Sequence, residues 1–133
     1  MLVQEGEGWR LVVDPSRPFP VLIGGMQWAA ELALEEAGAL RAGILRLHEQ
    51  LSSLADVLLD EEEITLEFET VLQPEGCLWL ELEGGPRQYA LRFVLDPSPG
   101  RRALEGGWSA AATAAFVAAI LQVEGLVPES APR

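Results

Sequence analysis

The 133-residue sequence predicts a single α+β domain, an antiparallel β-sheet with helices against one face in the order β-β-β-α-β-β-β-α. Three observations lead there. Between Glu63 and Leu95 three runs alternate apolar and polar residues and are parted by Pro/Gly turns, the mark of a half-buried antiparallel meander. Between Leu34 and Leu58 apolar residues recur at steps of three and four, the spacing of one buried helical stripe. The strands come in two runs, each closed by a helix, rather than alternating with helices as in a parallel sheet.

Trp9 to Asp14 forms the first strand, because Trp9, Leu11 and Val13 alternate with Arg10, Val12 and Asp14 until Pro15 stops the run. Phe19 to Ile23 is a short apolar run closed by Gly24-Gly25, and Pro18 and Pro20 place it near a sheet edge or a strand's beginning. Gln27 to Leu32 fits two patterns: Trp28, Ala30 and Leu32 alternate as in a strand, whereas Glu31, Glu35 and Glu36 suit the first turn of a helix. The reading adopted is strand, then helix. That helix buries Ala37, Leu40, Ile44, Leu47, Leu51, Leu54 and Leu58, and Asp60-Glu61-Glu62-Glu63 ends it. In the meander, Ile64, Leu66 and Phe68 face inward, with Glu63, Thr65, Glu67 and Glu69 outward. Cys77 to Glu83 turns Leu78, Leu80 and Leu82 to the core and Trp79, Glu81 and Glu83 away from it; Gln88 to Leu95 does the same with Tyr89, Leu91, Phe93 and Leu95 against Gln88, Ala90, Arg92 and Val94. Asp96 to Gly107 reads as a loop, and Ser109 as the N-cap of a second helix with the stripe Ala112, Ala115, Phe116, Ala119, Ile120 and Val123. The tail from about residue 125 is expected to fray.

The formal net charge of −12 is unevenly spread. Residues 1 to 59 hold four arginines against eight carboxylates, residues 60 to 83 hold nine carboxylates and no base, and residues 84 to 133 hold five arginines against four carboxylates. Such an acidic block opposes phosphate binding and favours a basic partner surface. All nine basic residues are arginine. The single Cys77 makes no internal disulfide, the first residues MLVQEGEGWR lack the pattern of a signal peptide, and Ala110 to Leu121 is too short for a membrane span, so a cytoplasmic protein without a membrane segment is expected.

The chemistry-bearing residues are few. His48 is the only histidine and lies within the long helix, and neither it nor Cys77 sits in a nucleophile motif, so catalysis is not expected. The acidic run Asp60 to Glu63 lacks the spaced ligands of a calcium loop, and the glycine doublets match no phosphate loop, so no metal or cofactor is expected. One constellation stands out. The solvent side of the sheet carries Trp79 with Arg10 and Arg92, beside Val12 and Val94, and Arg101 and Arg102 follow the last strand of the meander. Guanidinium and aromatic groups together suit recognition of bases, phosphates or another protein. Glu63, Glu67, Glu69, Glu81 and Glu83 share that face, and pairing of the arginines with them across strands is the preferred reading.

The stretches GEGWRL (Gly6 to Leu11), IGGMQWAAEL (Ile23 to Leu32), DEEEI (Asp60 to Ile64), LWLELEG (Leu78 to Gly84), YALRFVL (Tyr89 to Leu95) and GRRALEGGW (Gly100 to Trp108) make the chain similar to a family of small proteins of unknown function from cyanobacteria and plastid-bearing plants. That family resembles the Whirly-type single-stranded-DNA-binding transcriptional regulators in fold, which implies a curved antiparallel sheet with helices and supports WAAEL as a strand. Ala33 departs from the threonine the family tends to place there as a helix cap. Whirly-type proteins bind single strands on basic, aromatic surfaces, whereas Glu63 to Glu83 is acidic, and their binding residues are not carried over. The expected role is a non-catalytic module binding a protein partner or a second copy of itself. Single-stranded nucleic acid is the alternative; it would have to use Arg92, Arg101 and Arg102.

Overall fold

The computed structural model describes residues 1–97 and 102–126. Its elements are β1 (Leu2–Gly6), β2 (Trp9–Val13), β3 (Val21–Gly24), β4 (Ala29–Leu32), α1 (Leu34–Leu54), β5 (Ile64–Val71), β6 (Cys77–Gly84), β7 (Tyr89–Asp96), β8 (Leu104–Trp108) and α2 (Ala110–Leu121). The α+β class and the antiparallel pairing are as expected. The strands form two four-stranded sheets in the orders β1-β2-β3-β4 and β5-β6-β7-β8, and each half of the chain repeats the order β-β-β-β-α.

Two strands escaped the sequence reading. β1 pairs antiparallel with β2 through a tight turn in which Gly8 takes a φ of 81°, a left-handed conformation that glycine adopts without strain. β8 lies inside the stretch read as a loop and pairs with the free side of β7. Glycines at 106 and 107 weaken a strand's local signal, but tertiary packing requires them: a Cβ on Gly106 would stand 2.8 Å from the Trp28 ring. The strand-then-helix reading of Gln27 onward holds, with β4 over Ala29–Leu32 and α1 from Leu34.

Helix α1 ends at Leu54, four residues short of the expected Leu58. Its last turn holds no basic residue, Asp56 and the acidic run follow at the negative end of the helix dipole, and Ala55 N–H tightens onto the Ser52 carbonyl at 3.3 Å. At the other end Ala33 has no side-chain acceptor, so only half of a capping box exists: its N–H donates to Glu36 Oε1 at 2.7 Å. Helix α2 has a true cap, Ser109 Oγ accepting from Ala112 N–H at 3.3 Å.

The core is one cluster drawn from both sheets and both helices. Ala37, Leu40, Ile44, Leu47 and Leu51 of α1 are buried as the stripe requires, and α1 packs on β5 and β6, where Leu80 is fully enclosed. Helix α2 contacts β7 of one sheet and β2 of the other. The sheets also hold each other directly. Trp28 Nε1–H donates to the Gly107 carbonyl at 3.1 Å, and Trp108 Nε1–H returns the contact to the Gly24 carbonyl at 2.8 Å. The two indoles meet edge to face at 5.3 Å, and Trp108 stacks on Phe116 of α2 at 4.0 Å. Leu126, in the expected frayed tail, is buried; the rest of that tail lies outside the described residues.

Candidate functional site

The side of the second sheet turned away from the core is a grid set by strand register. One row reads Glu67, Glu81, Arg92, Gly107, and the next Glu69, Trp79, Val94, Glu105. A third pairs Thr65 with Glu83 and Ala90, and a fourth Val71 with Cys77 and Asp96. The alternation of β5, β6 and β7 fixes this face, since the residues between these are the core leucines and Phe93.

At its centre Arg92 Nε–H donates to Glu81 Oε1 at 2.8 Å while the guanidinium lies 5.0 Å from the Trp79 ring centroid. The hydrogen bond and charge of Glu81, reinforced by Glu83 and Glu105, hold the Arg92 pKa above its ordinary value. Cross-strand pairing, the preferred sequence reading, is therefore what the structure gives for this arginine. Gly107, opposite Arg92, puts no side chain beside it, and two shallow hollows flank the arginine: about 300 Å³ bounded by Trp79, Val94 and Glu105, and about 450 Å³ bounded by Glu81, Glu83 and Ala90.

The structure separates the other arginines from this pair. Arg10 belongs to β2 in the first sheet, not to the sheet of Trp79 and Arg92, and makes an exposed 3.6 Å ion pair with Glu5. The single continuous face on which the sequence placed it with Val12 does not exist, because the strands divide into two sheets. Arg102 is exposed just before β8, and Arg101 lies outside the described residues. Asp96 and Glu105 join the face unannounced by the sequence reading. The Asp96 to Gly107 loop assignment hid them, and the pattern Leu104, Glu105, Gly106 before Trp108 is the weak signal that could have found them.

His48 is exposed on α1, and Cys77 is half-buried at the start of β6. Among the described residues no group of three His, Cys, Asp or Glu side chains could hold a metal ion, and no helix is long and apolar enough to cross a membrane. What the face offers chemically is a broad negative potential around one immobilised cation and one half-buried indole.

The chain is similar to the crystal structure of a protein of unknown function, described as from the DUF155 family, from Prochlorococcus sp. NATL2A. The two share 34% sequence identity and a TM-score of 0.80, over 90% of this chain and 96% of that one. No curated protein matches. The model of the domain of unknown function DUF1818 matches residues 4–123, from within β1 to beyond α2, and the chain belongs to that family.

Proposed function

We propose that the chain is a non-catalytic protein-interaction module whose outer face on the second sheet docks a basic segment of a partner protein. One observation carries this reading: among the described residues Arg92 is the one cation of this face and is already engaged by Glu81 and Trp79, whereas Glu67, Glu69, Glu83, Asp96 and Glu105 make no salt bridge. Unneutralised carboxylates across a sheet face steer a cationic partner and reject polyanions. The half-buried Trp79 and its flanking hollows supply apolar contact where the charges meet. The Whirly-type resemblance would seat a single-stranded nucleic acid on the sheet instead, but such a strand would meet this repulsion with Arg92 as the one cation of the face among the described residues.

Titration with octalysine, followed by tryptophan emission, tests the proposal. Binding is expected at low salt, weakening as the Debye length shrinks. The double variant Glu67→Lys with Glu83→Lys should bind at least about tenfold more weakly. Equal binding by that variant overturns the proposal, as does tight binding of an oligothymidine that is lost in Arg92→Ala with Arg102→Ala.

A further inference from the structure

Resting on that reading, we propose that the basic segment binds as a strand added to the free edge of β5, extended, with basic side chains alternating with apolar ones. β5 is eight residues long and ends its sheet. Its ladder runs to β6, and among the described residues no backbone hydrogen bond leaves its far edge. The unpaired N–H and C=O groups of such an edge are a template for an incoming strand.

The two sides of that edge differ in chemistry. On the core side, β5 and α1 bound a groove of about 280 Å³ whose lining is apolar at Ala39, Ala42 and Phe68 and polar at Glu35, Thr70 and Gln73. Val71, which lies on the outer side beyond Glu69, is 71% exposed. On the outer side stand Glu67 and Glu69, both exposed. An added strand points alternate side chains to the two sides, within about 5 Å of the β5 side chains they oppose. Its inward residues therefore enter the groove, where those that meet Ala39, Ala42 and Phe68 are apolar, and its outward residues beside Glu67 and Glu69 are basic. A second copy does not fit. β5 against β5 would set Glu67 and Glu69 against glutamates, and among the described residues no strand carries more than one arginine. The same glutamates that deter self-pairing select an oppositely charged strand.

The test uses the intact protein and two capped octapeptides of equal composition, one alternating lysine and valine, the other with four valines followed by four lysines. The alternating peptide should bind at least tenfold more tightly and slow amide hydrogen exchange within residues 64–71 at least tenfold. Ala42→Trp, at an exposed helix position, should fill the groove and reduce that binding at least tenfold while circular dichroism stays unchanged. If both peptides bind equally without protecting β5, and the Glu67→Lys, Glu83→Lys variant loses both, strand addition falls and the acidic-face reading stands. If neither peptide binds at low salt, both fall together.

Discussion

The two halves of the chain share one order of elements and solve it with opposite materials. In the first half four strands of four or five residues precede a 21-residue helix; in the second, three strands of eight residues and one of five precede a helix of 12. Helix α1 covers the second sheet with one stripe and turns Arg46, His48 and Glu49 to solvent. Helix α2 has no charged residue: one side lies against β2 and β7 of different sheets, and its exposed positions, Ala111, Ala114, Ala115 and Ala118, are alanines. Composition follows neighbours rather than element type. The long strands of the second half also leave a broad outer face, and four of the nine carboxylates of residues 60 to 83, Glu67, Glu69, Glu81 and Glu83, stand on it, where solvent or a partner can accept them.

The comparison breaks hardest at the residue that joins both halves. Phe116 is fully enclosed between Trp108 and the core, and Phe116→Ala should cost about 3 to 5 kcal/mol in urea unfolding. A loss under about 1 kcal/mol would mean that α2 is a covering element and not a wedge. The contact of α1 is sharpened by Gly43, where a Cβ would come within 2.7 Å of Phe68 Cδ2 and overlap Leu80. In an open helix Gly→Ala gains about 1 kcal/mol. Here Gly43→Ala should instead lose about 1 to 3 kcal/mol, measured in the same way, because helix and sheet have to move apart. The smallest effect separates the caps: Ser109→Ala should cost about 1 kcal/mol and Ala33→Ser should gain somewhat less, while the reverse order of signs would show the two helix starts to be equivalent.

How much of this was legible depended on whether a signal was local. The meander from Ile64 to Asp96 and the stripe of α1 carry their periodicity in consecutive residues, and both stood within one or two residues of the expected limits except at Leu54. β1 was missed because Leu2 to Glu5 is nearly all exposed and shows no buried alternation. β8 was missed because Gly106 makes room for Trp28, 78 residues earlier in the chain, and Gly107 for Leu91 and Arg92 of β7. The division into two sheets depends on such distant contacts, and with it went the placement of Arg10. The Trp79–Arg92 pair was legible because two adjacent strands of a clear meander fix its register.

The reciprocal hydrogen bonds of Trp28 to the Gly107 carbonyl and of Trp108 to the Gly24 carbonyl give the protein a built-in optical gauge. These indoles lie close enough to each other and to Phe93 for their near-ultraviolet transitions to couple, with ring centroids 5.3 Å apart. Trp79 sits on the other side of the sheet under a guanidinium. Loss of the sheet-to-sheet seam should therefore erase a strong near-ultraviolet circular dichroism band, whereas occupation of the outer face should alter emission and leave that band standing. One spectrometer thus distinguishes a molecule that has opened from one that has merely been covered.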